Sequence, residues 1–114
     1  LLYAIKGLNY AFSSQRNFRI HIAFGIGAFL LGFLLELNTS ELAIMTLTVT
    51  CVLVLELINT AIEATVDLAI GKRFHPLARI AKDCSAAAVL VASISSLIIA
   101  VLLLFPPSLA ELGI

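Results

Sequence analysis

Charged residues are scarce in this chain, since Asp, Glu, Lys and Arg together make up 12% of its 114 residues. A soluble domain carries about 25%. Hydrophobic residues make up 61% of the sequence, and this balance predicts one domain embedded in a membrane. A soluble enzyme is thereby excluded. The length also leaves no room for a Rossmann unit or a barrel beside the membrane segments.

Cysteines and phosphate-binding glycine loops are also rare or missing. Cys51 and Cys84 have no metal-type spacing, and we expect both to be reduced, structural residues. No P-loop and no kinase glycine loop is present, so any nucleotide site must be built from helices. The first residues contain no apolar run that ends in small residues, and we expect no cleaved signal among them.

The cations are divided between two clusters, while the apolar runs carry none. One cluster precedes the first apolar run and the other follows the second; they consist of Lys6, Arg16 and Arg19, and of Lys72, Arg73, Arg79 and Lys82. Cationic segments mark the cytoplasmic side of a membrane. The pattern therefore predicts a cytoplasmic N-terminus and an external C-terminus.

Hydrophobic periodicity predicts an all-α protein with four helical segments. Residues 1 to about 19 are amphipathic, which is typical of a helix that lies on the membrane surface. Apolar runs at about 20–37, 42–66 and 84–105 are long enough to cross about 30 Å of hydrocarbon. We expect one helical domain over residues 1–114.

Residues at the ends of these segments predict where the helices begin and stop. Thr39 or Ser40 is expected to cap the second span. Pro76 is expected to open the third helix, and Pro106 to stop it together with the next proline. His21, at the cytoplasmic end of the first span, is expected to be an ordinary satisfied polar residue rather than a ligand.

Polar residues form a stripe on the second span. Glu56, Asn59, Glu63 and Asp67 recur at intervals of three and four, so a helix places them on one face. Ionisable groups at such a position are costly and indicate a functional site. Glu56 lies about 22 Å in from the outer end of the helix, where it can reach a lipid headgroup. The shallower carboxylates can reach an aqueous cosubstrate.

The residues alone leave three interpretations of this stripe open. One carboxylate can act as a general base while another holds Mg²⁺, which binds through one or two carboxylates plus substrate phosphates. The stripe can instead carry protons or ions, or it can join the subunits of a structural oligomer. The basic clusters are likewise open between binding phosphates and only setting the topology.

Four segments together resemble the small bacterial diacylglycerol kinase and undecaprenol kinase family. They are KGL at 6–8, QRNFRIH at 15–21, LELINTAIEATVDL at 55–68 and HPLARIAKD at 75–83. The resemblance covers nearly the whole chain. It implies a homotrimeric lipid kinase of the bacterial inner membrane, with three spans, a surface helix and composite active sites at the cytoplasmic face.

The resemblance also implies roles for individual residues. Glu56 is similar to the catalytic base, which acts on the lipid hydroxyl, and Asn59 falls with it at the substrate-binding positions. Glu63 is similar to a carboxylate that binds Mg²⁺. The family's second metal-binding carboxylate falls at Gln15, whose amide brings no charge, so weaker metal binding is expected. The implied ATP-binding positions are Tyr3, Gln15, Glu63, Asp67, Arg73, Phe74, His75, Lys82 and Asp83. The forms NTAIE, TVDL, RNFRIH and HPLA look more like undecaprenol kinases, which favours undecaprenol over diacylglycerol.

Overall fold

In the computed structural model, the chain folds into four helices in series. They are α1 (Leu2–Ser14), α2 (Arg16–Leu34), α3 (Thr39–Ile70) and α4 (Pro76–Glu111). The structure describes residues 1–113 and, among their side chains, those of 1–106, 112 and 113. No strand occurs in the described residues, so the predicted all-α class is confirmed. The helices α2, α3 and α4 up to Pro106 are each long and apolar enough to cross a membrane.

The helix α3 is the centre of the bundle. It packs against α4 over much of its length and against α2 on another side, whereas α2 and α4 hardly meet. Only a few apolar side chains are buried, among them Phe18, Met45 and Val52. Many large apolar side chains face outward, as expected for helices surrounded by hydrocarbon. The molecule is 58 Å long, so its ends extend beyond a hydrocarbon layer of about 30 Å.

Glycines let α2 approach α3 closely. A Cβ atom on Gly25 would lie 2.8 Å from Cγ1 of Val49, and one on Gly32 would lie 3.4 Å from Cδ2 of Leu42. Small residues at an interface allow helix backbones to come together in this way. Gly27, on a different side of α2, has no atom within 4 Å of its Cβ position.

The turn between α2 and α3 is closed by two hydrogen bonds. Leu37 N–H donates to Gly32 O at 3.0 Å and Glu36 N–H to Phe33 O at 3.2 Å, which is the Schellman pattern. Glu36 occupies its left-handed position with φ 57°, where glycine is usual.

Asn38 caps α3, so the expectation of Thr39 or Ser40 was wrong. Its side chain accepts from Glu41 N–H at 2.9 Å, and its own N–H donates to Glu41 Oε1 at 3.1 Å. This reciprocal capping box satisfies two backbone donors at once. The helix therefore begins at Thr39, and its N-cap is the residue before it, Asn38.

The first two helices meet at a bend. The segment predicted as one helix over 1–19 ends at Ser14, because Gln15 is extended with φ −112° and ψ 106°. The sequence has no glycine or proline there to indicate a break. Arg19 stabilises the bend, since its Nη1 donates to Phe12 O at 2.7 Å. A cation that bonds the last carbonyls of a helix also interacts favourably with the helix dipole.

The turn between α3 and α4 follows the predicted signals more closely. Gly71 ends α3 with φ 61° and ψ −128°, a conformation almost restricted to glycine. As predicted, α4 begins at Pro76. The prediction that Pro106 and the next proline stop this helix was wrong, because α4 extends to Glu111. Each proline removes one backbone donor, and the remaining bonds of so long a helix are enough to continue it.

Candidate active site

The polar stripe of α3 runs from a buried, dry end at Glu56 to a solvent-exposed, wet end at Asp67. Glu56 is 2% exposed. Asn59 and Glu63 are half-buried, and Asp67 is exposed. The spacing of three and four places them on successive turns of one face, as the sequence predicted for a continuous helix.

Glu56 is an incompletely bonded buried carboxylate. Within the described side chains, its Oε1 is a buried oxygen with no hydrogen-bond partner. Nε2 of His21 lies 3.5 Å from that oxygen, and no hydrogen bond joins the two groups. His21 was expected to be an ordinary polar residue rather than a ligand, and the structure places it beside this carboxylate. A buried oxygen left unpaired is costly and is therefore a candidate for function.

Ser85 joins the stripe from α4. Its Oγ donates to Asn59 Oδ1 at 2.6 Å, and Asn59 Nδ2 points toward Glu63 Oε1 at 3.5 Å. Ser85 is buried at 8% exposure. Sequence reasoning missed it, although it lies one turn after Lys82 on the same face of α4, a spacing that pointed to it. The bond orients the amide so that its NH₂ faces Glu63.

An ion pair joins the wet end of the stripe to α4. Lys82 Nζ lies 2.6 Å from Asp67 Oδ1. The neighbouring pair of Arg79 and Asp83 lies within α4, at 3.3 Å, with both side chains largely exposed. The structure thus brings Asn59, Glu63, Asp67 and Lys82 to one seam between α3 and α4. Glu56 continues the same stripe of α3 but faces His21 of α2.

The remaining predicted nucleotide residues lie outside this seam. Tyr3 is 86% exposed and Phe74 77% exposed. Arg73 Nε donates to Ile70 O at 3.2 Å, and His75 Nδ1 accepts from a backbone N–H at 3.1 Å.

No hydrogen bond or ion pair joins these side chains, or that of Gln15, to the carboxylates of α3 in the part of the chain that the structure describes. Their nucleotide roles stay predictions.

The predicted magnesium ligands can hold the ion only with help from phosphates. The described residues contain no group of three or more His, Cys, Asp and Glu that can hold a metal ion. Glu63 is half-buried. Among the described side chains, its carboxylate has one hydrogen-bond partner, Asn59 at 3.5 Å, which leaves it available. Mg²⁺ accepts such a site when substrate phosphates supply further oxygens. Glu63 therefore fits the ion, and the part of Gln15 stays a prediction.

An apolar cleft opens between α2 and α4, with α3 as its floor. Its volume is about 640 Å³, and it extends from His21 and Phe24 to Leu103 and Leu104. The polar side chains that line it are His21, Thr48, Ser93 and Ser96. Because His21 also faces Glu56, the cleft begins beside the buried carboxylate.

These features define an integral membrane protein of helical type with a candidate active site between its spans. The model of the family described as prokaryotic diacylglycerol kinase matches residues 2–104. The chain belongs to the prokaryotic diacylglycerol kinase family, which confirms the resemblance that the sequence motifs indicated.

Curated relatives carry two different names. A diacylglycerol kinase of Synechocystis sp. is 48% identical over 95% of this chain and 62% of its own length. An undecaprenol kinase of Bacillus subtilis is 42% identical over 92% of this chain and 85% of its own. A diacylglycerol kinase of Escherichia coli K12 is 34% identical over 84% and 78%. The chain therefore spans less than two thirds of the Synechocystis relative.

Proposed function

We propose that this protein is a lipid kinase that transfers the γ-phosphoryl group of ATP to the hydroxyl of a membrane lipid. The observation that carries the proposal is a buried carboxylate, Glu56, beside His21, which lines the end of an apolar cleft. We further propose a homotrimer in the bacterial inner membrane with a cytoplasmic N-terminus, on the distribution of its cations and its family.

The acceptor side of the reaction is served by the cleft and Glu56. A lipid chain in the cleft keeps its tail in apolar surroundings and brings its hydroxyl to the His21 end. Glu56 removes the hydroxyl proton as the oxygen attacks the γ-phosphorus, and the bond from that phosphorus to the leaving ADP oxygen breaks. The products are the phosphorylated lipid and ADP, and the proton stays on Glu56 until it is released.

The donor side is served by the wet end of the seam. Lys82 offers a cation for the phosphates once they compete with Asp67 for it. Glu63, together with Gln15, would hold Mg²⁺, which neutralises charge on the phosphates when it is bound. Ser85 and Asn59 orient the side chains around Glu63. Arg73 and the two residues after it are proposed to contact the nucleotide.

The lipid substrate is proposed to be undecaprenol rather than diacylglycerol. Support comes from the local forms NTAIE, TVDL, RNFRIH and HPLA, and from the relative named undecaprenol kinase. Other relatives are named diacylglycerol kinase, so an assay must offer both lipids.

Purified protein in mixed detergent–lipid micelles, given γ-labelled ATP and Mg²⁺, tests this function. We expect label in undecaprenol, with less in diacylglycerol, and none when EDTA removes the metal. Glu56→Gln should lower turnover by a factor of about 10² to 10⁴, the usual contribution of a general base. Glu41→Gln is the matched control, because it changes a carboxylate of the same helix outside the seam and glutamine preserves a capping box.

Three results would contradict the proposal. Absence of label from both lipids removes the kinase function, and ATP-independent proton flux in liposomes would support a carrier instead. Full turnover in Glu56→Gln removes the assigned base. Gln15→Glu separately tests the metal ligand, and we expect it to lower the Mg²⁺ concentration needed for half-maximal activity.

A further inference from the structure

The carboxylate of Glu56 has one neighbour suited to hold it in place. Its side chain is 3% exposed, and that of His21 on α2 is 26% exposed. Their nearest atoms, Oε1 and Nε2, are 3.5 Å apart, and Oε1 accepts no hydrogen bond. N–H···O bonds are usually 2.7–3.2 Å long. A movement of about 0.5 Å and a small rotation therefore convert this contact into a hydrogen bond.

Helix packing fixes the imidazole at the level of the carboxylate. His21 lies one turn before Gly25 on α2, and Gly25 packs on Val49 of α3. Glu56 lies two turns after Val49 on α3, and its neighbour on that face, Val52, is buried at 3% exposure. Because α2 and α3 run in opposite directions, both residues lie on the same side of the Gly25–Val49 contact, at about 6 Å and about 10 Å along the helix axes. Side chains lean toward the N-terminus of their own helix, so these two lean toward each other and span the difference.

We propose that His21 is a positioning residue for Glu56. With its proton on Nε2, the imidazole donates to Oε1 as the lipid hydroxyl arrives, and this bond turns Oε2 toward that hydroxyl. His21 takes no proton from the lipid and acts only through Glu56. The proposal rests on the proposed function, since it assigns His21 a part in the same proton transfer. Misplacing a reacting group by about 1 Å can cost about 10² in rate.

Steady-state kinetics of His21→Leu and His21→Gln test this role. Leucine preserves the apolar bulk but has no donor, so we expect kcat to fall by a factor of about 10 to 100. The KM values for ATP and lipid should stay within about twofold of wild type, because leucine keeps an apolar side chain of similar size in the lining of the cleft. Glutamine carries an N–H donor on a chain of suitable length and should restore most of kcat. Ile26→Leu is the control, because Ile26 is an exposed residue of α2 outside the cleft.

Each outcome supports or overturns the positioning role of His21. A kcat within twofold of wild type in His21→Leu overturns the proposal, as does a change confined to KM or an equal loss in His21→Gln. If wild type labels no lipid, the proposed function has failed instead, and the two failures are therefore distinct. Should His21→Leu fail to fold by size-exclusion chromatography, His21→Asn replaces it. Its shorter side chain should lose kcat while His21→Gln retains it, and equal kcat values in these two variants overturn the proposal.

Discussion

Replacing Gly25 by alanine tests the close approach of α2 to α3. The added Cβ would lie 2.8 Å from Cγ1 of Val49, which is closer than two carbon atoms can pack. Valine on a helix has one strongly preferred rotamer, so it cannot turn aside and the helices must separate. Overpacking of this kind costs about 1–3 kcal/mol. Alanine also gains about 1 kcal/mol of helix propensity over glycine.

Gly27→Ala separates these two effects. It gains the same propensity, but its Cβ meets no atom within 4 Å. We therefore expect Gly25→Ala to be less stable than Gly27→Ala by about 1–3 kcal/mol. Unfolding by SDS titration in micelles, followed by circular dichroism, measures the difference. Equal stability of the two variants would refute the packing argument.

A double-mutant cycle adds a second check. Val49→Ala removes the atom that the new methyl group meets, so it should relieve much of the loss in Gly25→Ala, with a coupling of about 1–3 kcal/mol. If the stability losses of Gly25→Ala and Val49→Ala are simply additive, the cost of Gly25→Ala does not arise from its contact with Val49.

Two further predictions concern Ser85 and Glu36. Ser85→Ala should lower the free energy of unfolding by about 1 kcal/mol, because it removes the 2.6 Å bond to Asn59. SDS titration should show a smaller loss for the control Ser93→Ala, whose hydroxyl donates to Val89 O within α4. Similar losses in the two variants would show that the interhelical bond contributes little. Glu36→Gly should raise stability by up to about 1 kcal/mol, because a left-handed conformation disfavours side chains at φ 57°. An unchanged or lower SDS midpoint would count against that cost.

The sequence predicted the helical class and the stripe on α3 because both depend on regular spacing within one segment. The apolar runs are long, and the cations lie outside them. Gly71 and Pro76 indicated the turn between α3 and α4, since each has a specific backbone preference. Local patterns of this kind need no knowledge of which helices meet.

Contacts between helices were not predictable in the same way. The approach of His21 to Glu56 depends on the register of α2 against α3, and that of Ser85 to Asn59 on the register of α4. The extended conformation of Gln15 is likewise held by an arginine from the next helix. The spacing from Lys82 indicates the face of α4 on which Ser85 lies, but no residue type identifies the partner on another helix, because that partner depends on packing.

The burial of Glu56 affects how readily water can take the place of the lipid hydroxyl in the proposed reaction. At 2% exposure the carboxylate has little access to bulk water, whereas the cleft beside it opens along the spans. In the proposed kinase, water is therefore a poor competitor for the place of the lipid hydroxyl. Excluding water from the base suppresses side reactions such as hydrolysis. The buried end of the stripe would thus limit the hydrolysis of ATP when no lipid is bound.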